Sequence, residues 1–391
     1  MRISDRLARI KPSATLAVNA KAQELKAQGR EIVSLAVGQP DFGTPPHVCD
    51  AAKQALDEGF TRYTPVPGIP ELREAVAGYY DRFYGAKAEG ANTIISNGGK
   101  QVLYNLLMAL INPGDEVLIP SPYWVSYPAM VQLAEGVSVF VPTTPDQHFL
   151  VSVDDLEQLR TDRTRVLILN SPSNPTGCCY TQAQLDDIAA WARQHDVFII
   201  SDEVYDRLVY DPATPASLSK LWEAHPESIA IVGALSKSFC MTGWRVGYAL
   251  AHEELVKAMV RIQGQSTSNI NSVTQKAALA ALSGSWDILD DMKKAFVRRR
   301  DMAYDIIVNG WGATCPKPDG AFYLFPVLKQ FYTPETPDSA SMCTRILEQA
   351  GVALVPGSAF GDDDCIRFSY AVDDDVLRSA LDKVGKVLTG K

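Results

Sequence analysis

The sequence predicts an α/β fold with a mainly parallel central sheet, helices on both of its faces, and a second, smaller α+β domain. Three observations predict it. The chain has 391 residues, too many for one small core. From about residue 90 to residue 250 short β-rich runs alternate with helical stretches, and after about residue 290 this alternation stops. Strands that alternate with helices require right-handed crossovers, which build a parallel sheet covered on both faces.

The first fifteen residues are polar and predict an arm, and the stretch 16–29 predicts a helix that Gly29 closes. We expect an arm with part of the small domain at residues 1–45, a large domain at 46–290 and a C-terminal small domain at 291–391. The predicted strands of the large domain are NTIIS, DEVLIP, VSVFVP, RVLILN, VFIISD, SIAIVG and RVGYAL, with helical patterns such as KQVLYNLLMALI and TQAQLDDIAAWARQH between them.

The C-terminal region begins with a long charged helix, DDMKKAFVRRRDMAYDIIV, in which Arg298–Arg300 predict a solvated face. The runs GAFYLFPV, VALVPG and CIRFSYA follow, and a final amphipathic helix ends the pattern. This mixture predicts the α+β domain, which we expect to recruit N-terminal residues as well.

The composition argues against several classes of protein. With 46% hydrophobic and 21% charged residues the chain is typical of a soluble globular enzyme, and the net charge of −9 argues against a nucleic-acid partner. No signal peptide or membrane-spanning run is evident. The seven cysteines are scattered and form no C-x-x-C motif, which predicts no disulfide framework and fits a cytoplasmic protein. The five histidines are isolated, so neither residue type predicts a metal site. The absence of a P-loop and of G-x-G-x-x-G disfavours nucleotide chemistry.

One lysine stands in an unusual context. In GALSKSFCMTGWRVGYAL, residues 233–250, Lys237 lies among small and apolar residues between two predicted strands. Burying an ammonium group is costly, so lysine is among the residues least often buried. A lysine in this place therefore predicts a functional role.

Other polar residues follow the predicted strands at their carboxyl ends, where ligands gather in a parallel α/β sheet. Asn174 follows RVLILN, Asp202 ends VFIISD with Tyr205 three residues later, and Gly98–Gly99 precede a helix. Free backbone N–H groups at a helix N-terminus suit a phosphate. A single aspartate at a strand end also serves as a helix cap, so no one of these residues decides the function.

Together these residues suit one chemistry. A lysine that forms an imine with an aldehyde needs an apolar pocket that lowers its pKa. A pyridine ring withdraws electrons when a carboxylate keeps its nitrogen protonated. The phosphate of such a ring needs N–H groups and a cation, and an amino-acid substrate needs an arginine for its α-carboxylate.

The chain resembles pyridoxal-phosphate enzymes of fold type I, within the class I aminotransferases, and most closely the bacterial aspartate aminotransferases of subgroup Ib. The resemblance covers essentially the whole chain, because eleven motifs stand in the order of the family. They are KPSAT, GQPDF, YTPVPGIPELREA, NGGKQ, SPYWVSYP, NSPSNPTG, SDEVY, SKSFCMTGWRVGY, GAFY, VPGSAF and IRFSYA.

The resemblance implies pyridoxal 5′-phosphate as the cofactor and a role for each matching residue. Lys237 matches the Schiff-base lysine that also moves the substrate proton, and Asp202 matches the partner of the pyridine nitrogen. Tyr205 and Asn174 match the residues at the phenolic oxygen of the ring. Trp124 matches the aromatic residue that stacks on the ring, and both Trp124 and Asn174 border the substrate.

The resemblance also implies residues for the phosphate and for the substrate. Gly99, Lys100 and Arg245 match phosphate-side positions, and Tyr63 matches a tyrosine that reaches the phosphate of the neighbouring subunit, which implies a homodimer with shared sites. Arg367 matches the clamp for the α-carboxylate, and Gly38 closes over the site from the small domain. Each of three residues also has a purely structural interpretation: Trp124 could belong to a hydrophobic core, Tyr63 to a turn, and Arg367 to a structural ion pair.

Two positions depart from the family pattern. Ser173 stands where the family often has a second asparagine, although Asn174, which carries the contact, is intact. Ala234 stands where some relatives carry a phosphate-binding serine, so the resemblance implies one phosphate contact fewer than in those relatives.

The substrate expectation also follows from the resemblance. Enzymes of subgroup Ib lack the second arginine that other aspartate aminotransferases use to bind the side-chain carboxylate of the substrate. The resemblance implies that Lys100 binds this carboxylate instead, helped by Lys11, Ser13 and Thr15 of KPSAT. We therefore expect aspartate or glutamate as the amino donor, with 2-oxoglutarate or oxaloacetate as the acceptor. Broad specificity toward aromatic, alanine-type or prephenate substrates is the alternative, because a lysine is a less selective partner than a bidentate arginine.

Two other classes of protein share this fold. A fold-type-I C–S lyase would keep the lysine and release a thiol or gaseous product. A regulatory protein would need an N-terminal DNA-binding domain, and the roughly 45 residues before the large domain are not basic enough for that role.

Overall fold

A computed structural model describes residues 14–390 together with Ile3, Ser4, Leu7 and Ile10. Of residues 14–17 and 19 it describes the backbone only. The predicted arm therefore lies largely outside the described residues. None of the described helices is long and apolar enough to cross a membrane.

The described strands form three sheets. The central sheet has seven strands in the order β2-β8-β7-β6-β5-β3-β4, and two small sheets are built from the remaining strands. The strands are β1 (Val33–Ser34), β2 (Thr93–Ser96), β3 (Glu116–Ser121), β4 (Val137–Pro142), β5 (Thr164–Asn170), β6 (Phe198–Asp202), β7 (Ile229–Ala234), β8 (Gly247–Leu250), β9 (Tyr323–Leu324), β10 (Val352–Ala353), β11 (Val355–Pro356) and β12 (Ile366–Ser369).

The helices surround these sheets. Helix α7 shows why the sequence starts a helix where it does: Thr181 and Gln184 form a reciprocal capping box at its first turn. The helices are α1 (Ala14–Ala27), α2 (Pro46–Asp57), α3 (Pro70–Tyr84), α4 (Gly99–Leu110), α5 (Tyr127–Leu133), α6 (Val153–Leu159), α7 (Gln182–Gln194), α8 (Ser219–Ala224), α9 (Leu235–Ser238), α10 (Glu253–Ser266), α11 (Ser272–Ser283), α12 (Asp287–Asp305), α13 (Ser339–Ala350) and α14 (Asp374–Thr389).

The predicted α/β fold with a mainly parallel sheet is confirmed. β4, β3, β5, β6 and β7 run parallel, whereas β8 is antiparallel to both β7 and β2. The segment between β7 and β8 holds only the four-residue helix α9, so the chain returns beside β7 instead of crossing over the sheet.

Helices cover both faces of the central sheet, as expected. Along β5, Val166 and Ile168 point into one hydrophobic cluster, and Leu167 and Leu169 point into another. Successive side chains of a strand alternate between the faces, so a strand buried on both sides must be apolar throughout. The first cluster includes residues of α4, α5 and α10, and the second includes residues of α2, α3, α7 and α11.

The C-terminal elements form a separate hydrophobic cluster. It contains residues of α12, α13 and α14 together with β9 and β12, which lie in the antiparallel sheet β11-β12-β9. N-terminal residues reach this region, because β1 pairs in parallel with β10, with Val33 opposite Val352. The domain boundaries at residues 45 and 290 stay a prediction.

The prediction of a solvated face at Arg298–Arg300 is wrong for two of its three residues. Arg298 is exposed, but Arg299 and Arg300 are each 6% exposed. Arg299 is paired with Asp41 and Asp374, and Arg300 donates to Asp301 and to a backbone carbonyl. A run of charges along a helix does not reveal which of its members find acceptors. Those of Arg299 arrive from distant segments, Arg300 uses its neighbour Asp301 and a carbonyl from another segment, and these acceptors make the burial tolerable.

Candidate active site

A cavity of about 430 Å³ lies at the carboxyl ends of β5, β6 and β7. Ten of the twelve residues predicted for the site line it, and they come from the central sheet, from α4, from the segment after β1 and from the C-terminal region. They are Gly38, Gly99, Lys100, Trp124, Asn174, Asp202, Tyr205, Lys237, Arg245 and Arg367.

Lys237 enters this cavity from α9, directly after the fully buried strand β7. Its ammonium group donates to the carbonyl of Gly38 and lies 5.7 Å from the ring centre of Tyr205. Burial lowers the pKa of Lys237 to about 8, and repulsion by Arg367 and Arg245 adds to the effect. About a tenth of this amine is therefore neutral at pH 7, and able to act as a nucleophile, far more than at the ordinary lysine pKa.

Asp202 is the last residue of β6 and is only 3% exposed. Its Oδ2 accepts a hydrogen bond of 2.6 Å from the hydroxyl of Tyr127. Burial raises the pKa of Asp202 to about 6, because the bond from Tyr127 offsets only part of the cost of desolvation. No lysine or arginine among the described residues forms an ion pair with this carboxylate, so the site has room for a cationic partner from a ligand.

The N-terminus of α4 forms a cradle for an anion. The first turn of a helix has N–H groups without intrahelical acceptors, and these attract negative charge. The guanidinium of Arg245 lies beside this turn, where its Nη2 donates to the carbonyl of Asn97 at 3.2 Å. Gly98 has φ +84°, and a Cβ at this position would lie 2.5 Å from that Nη2. Only glycine lets the arginine approach the turn this closely.

Arg367 leaves β12 at the other side of the cavity and is 2% exposed. Its Nη1 donates to Oδ1 of Asn174 at 2.9 Å, and its Nη2 donates to the carbonyl of Ala36 at 2.7 Å. Its buried Nε has no acceptor among the described residues. Burial also lowers the pKa of Arg367. A buried guanidinium that lacks a carboxylate partner in the described chain suits an anionic ligand.

Two tyrosines join the two sides of the cavity. The hydroxyls of Tyr205 and Tyr323 lie 2.8 Å apart, and the guanidinium of Arg367 lies 4.6 Å from the ring centre of Tyr323. Burial raises the pKa of both tyrosines, so both hydroxyls keep their protons. Gly38 faces this pair, because a Cβ on it would lie 2.8 Å from the hydroxyl of Tyr323. The main chain at Gly38 can therefore approach the cavity only without a side chain.

Lys100 and Trp124 form the open side of the cavity. Lys100 is exposed at the second position of α4, and its Nζ lies 4.9 Å from the ring centre of Trp124. Desolvation, followed by repulsion from Arg245, lowers the pKa of Lys100. The lysine thus stands between the anion cradle and the cavity mouth, where it can serve either a cofactor phosphate or a substrate carboxylate.

Of the two remaining predicted residues, one lies outside the cavity lining and the other has a side chain outside the described part of the chain. Tyr63 is 90% exposed and lies outside the lining, so its implied contact needs a second chain and stays a prediction. Lys11 and Ser13 lie outside the described residues, as does the side chain of Thr15.

Sequence reasoning assigned no role to two residues that organise the site, Tyr127 and Tyr323. Both stand inside motifs that it had singled out, SPYWVSYP and GAFY. Tyr127 follows β3 at the edge where Asp202 ends β6, and this shared strand edge was a signal that could have found it. Tyr323 reaches the cavity from β9, and no local pattern indicates that approach. No group of three or more potential metal ligands occurs among the described residues.

Comparisons with known proteins give matches to aminotransferases that extend over most or all of the chain. The profile of the family described as aminotransferase class I and II matches residues 30–384. An aspartate aminotransferase of Geobacillus stearothermophilus is 43% identical over 394 residues, 100% of both chains. An aspartate/prephenate aminotransferase of Cereibacter sphaeroides is 44% identical over 99% of each chain. The solved structure of the aspartate aminotransferase from Thermus thermophilus with maleate has a TM-score of 0.94 at 42% identity, covering 99% of this chain and 100% of that chain.

Proposed function

The chain belongs to the aminotransferase class I and II family, and on this basis we propose that it is a pyridoxal 5′-phosphate-dependent aspartate aminotransferase. It transfers the amino group of L-aspartate to 2-oxoglutarate, forming oxaloacetate and L-glutamate. The observation that carries the proposal is a single cavity. It combines the amine of Lys237, the carboxylate of Asp202, which has no ion-pair partner among the described residues, and the buried guanidinium of Arg367.

The residues of the cavity fit the cofactor. The anion cradle formed by Gly99 and Arg245 suits its phosphate, and Asp202 suits a protonated ring nitrogen because that carboxylate has no ion-pair partner among the described residues. Lys237 would hold the aldehyde carbon. Tyr205 with Asn174 would hold the phenolic oxygen, and Trp124 would cover the ring face. When bound, the cofactor supplies an electron-withdrawing ring that accepts the electron pair left on the substrate α-carbon.

The chain's own residues orient the substrate and move its proton. Arg367 binds the α-carboxylate through its planar fork, which sets the direction in which the α-carbon faces the cavity. Once the substrate amine has displaced it, the free amine of Lys237 would remove the proton of the α-carbon, and the resulting ammonium would deliver that proton to the former aldehyde carbon. A pKa of about 8 suits this role, since both the amine and the ammonium are accessible near neutral pH.

We also propose that the protein is a cytoplasmic homodimer with shared active sites and with neither nucleic acid nor membrane as a partner. The support for the dimer is Tyr63, an aromatic side chain that is 90% exposed on one chain and lies outside that chain's own cavity. Seven cysteines without a disulfide are compatible with a reducing compartment.

Purified protein loaded with the cofactor is expected to convert aspartate and 2-oxoglutarate to oxaloacetate and glutamate in equal amounts. A malate-dehydrogenase-coupled assay reports the oxaloacetate, and chromatography reports the glutamate. Release of a thiol or of sulfide from cysteine-type substrates, without glutamate formation, would instead identify a C–S lyase. Preference for aromatic amino acids or prephenate over the aspartate–2-oxoglutarate pair would support the broad-specificity alternative.

Lys100→Ala is expected to lower kcat/KM for aspartate about ten- to a hundredfold more than for phenylalanine. The reason is that a hydrogen bond to a charged group is worth about 1.5–3 kcal/mol, and phenylalanine has no second carboxylate to lose. Steady-state kinetics with both donors at saturating cofactor measures the difference. Lys100→Arg is the matched control, because it keeps the charge and should retain much of the preference for aspartate. An equal loss for both donors, with weaker cofactor binding, would assign Lys100 to the phosphate.

A further inference from the structure

The segment between β1 and α2, residues 35–45, is the wall of the cavity that faces both Arg367 and Lys237; we call it the 35–45 loop. The carbonyl of Ala36 accepts the bond of 2.7 Å from Arg367, and the carbonyl of Gly38 accepts from Lys237. Beyond the cavity, Oγ1 of Thr44 donates to the carbonyl of Cys240 at 2.9 Å. The backbone of this loop therefore contacts two residues of the proposed machinery directly.

Arg299 of α12 holds the middle of the 35–45 loop. Its Nη1 and Nη2 donate to Oδ1 and Oδ2 of Asp41 at 2.9 Å and 3.0 Å, which is a bidentate pair. The side chain of Arg299 is 7% exposed, whereas that of Asp41 is 28% exposed. Beside the pair, the rings of Phe42 and Phe296 meet edge to face at 5.9 Å between their centres. The loop is thus docked on α12 by one charged fork and one aromatic contact.

The same arginine has a second acidic partner. Its Nε donates to Oδ1 of Asp374, at the first residue of α14, at 2.8 Å. Hydrogen bonds from Arg298 and then from Arg299 lower the pKa of Asp374 to about 2, so this carboxylate stays charged. Because Arg299 has two partners, removing Asp41 does not leave a buried guanidinium without compensation, and the fold can survive the change.

The loop has few other polar side-chain anchors between Gly38 and α2. Gln39 is exposed and accepts a bond of 3.4 Å from Thr242, which is long for a hydrogen bond between these groups. The hydrogen bond from Thr44 to Cys240 lies beyond the part of the loop that lines the cavity. The Asp41–Arg299 fork is therefore the strongest polar contact that keeps the loop on α12.

We propose that Arg299 is a positioning residue that, through Asp41, holds the 35–45 loop in the conformation that closes the cavity over the substrate. This rests on the proposed function, in which the substrate α-carboxylate binds Arg367 beneath the loop. Without the fork the loop spends part of its time away from the cavity. The apparent affinity for substrate then falls in proportion to the fraction of molecules whose loop is closed. Molecules that have closed react as before, so kcat changes little.

Asp41→Asn tests the proposal in the cofactor-loaded enzyme. If the competent fraction falls to about a fifth, KM for aspartate rises about fivefold while kcat changes less than about twofold. Hydrogen–deuterium exchange of peptides that cover residues 36–44 should become faster in the same variant, because the backbone of the loop opens. Asp41→Ala, which cannot accept the remaining bond from Arg299, should enlarge both effects.

Asp374→Asn is the matched control, since the same chemical change removes the other partner of the same arginine. It should lower the melting temperature, yet leave KM and the exchange of residues 36–44 within about twofold of the parent, because the fork to Asp41 remains. Unchanged KM and exchange in both Asp41 variants would overturn the proposal, as would an equal rise of KM in Asp374→Asn. A parent enzyme without aspartate activity would refute the proposed function instead, and the exchange data alone would then decide whether Arg299 holds the loop.

Discussion

Lys237→Ala is expected to abolish transamination, with kcat falling at least about 10⁴-fold, the upper range for losing one acid–base group. The expected loss is large because the variant lacks both the primary amine that holds the cofactor and the base that moves the substrate proton. Lys237→Arg should be equally inactive, since a guanidinium stays protonated and is no nucleophile. The two variants together separate the loss of positive charge from the loss of the amine.

Chemical labelling checks this assignment independently of activity. Borohydride reduction of the parent enzyme should fix the cofactor on the peptide that contains Lys237, and the variants should release it on denaturation. Lys276→Ala is the matched control: Lys276 is also partly buried and its Nζ lies 4.8 Å from the ring centre of Phe60, but it does not line the cavity. This control should keep both label and activity. A label on any lysine other than Lys237 would show that the assignment is wrong.

Asp202→Ala is expected to lower kcat about 10²- to 10³-fold while the protein stays folded, in the range seen when one preorganised charge-stabilising group is removed. The carboxylate keeps a proton on the ring nitrogen, and an unprotonated ring withdraws electrons poorly. Tyr127→Phe removes only the 2.6 Å hydrogen bond to that carboxylate, so a loss of about tenfold is expected. Circular dichroism verifies folding, and near-parental turnover in Asp202→Ala would contradict the assigned role.

The pKa of Asp202 adds a stability test of the same assignment in the cofactor-free protein. Burial raises this pKa from 3.8 to about 6, so the folded chain binds the proton more tightly than the unfolded chain. Proton binding by Asp202 therefore favours the folded chain: this contribution to the free energy of unfolding is complete below about pH 4 and is lost as the pH rises through 6. A difference of about two pKa units corresponds to about 3 kcal/mol. Relative to the parent, Asp202→Asn should therefore gain up to about 3 kcal/mol in free energy of unfolding between pH 4 and pH 8. Urea unfolding at the two pH values measures this gain, and a pH-independent difference would contradict it.

Much of the candidate site was accessible to sequence reasoning because its residues follow strands. Asp202 ends β6, Lys237 follows β7, and Gly99 opens α4 after β2. Parallel strands place their carboxyl ends at one edge of the sheet, so residues distant in sequence meet there without further information. This rule places the residues near one another; their catalytic roles stay predictions.

Other features depended on contacts that no local pattern encodes. The hydroxyl pair of Tyr205 and Tyr323 joins residues 118 positions apart, and the fork between Arg299 and Asp41 joins residues 258 positions apart. The sequence showed Arg299 only as one of three consecutive charges, which normally indicates a solvated helix face. Its burial follows from two carboxylates that arrive from other segments, so the error could not have been avoided by reading α12 alone.

The sequence by itself determined the family, the α/β order of the elements and the identity of the residues at the strand ends, because these follow from hydrophobic periodicity and from contiguous motifs. The tertiary structure alone decided how the charges are compensated. It left Asp202 and Arg367 without an ion-pair partner within contact distance among the described residues, and it gave Arg299 two such partners. The physical reason is that the cost of a buried charge depends on the distance to its partner in space, and that distance is set only when the distant segments pack.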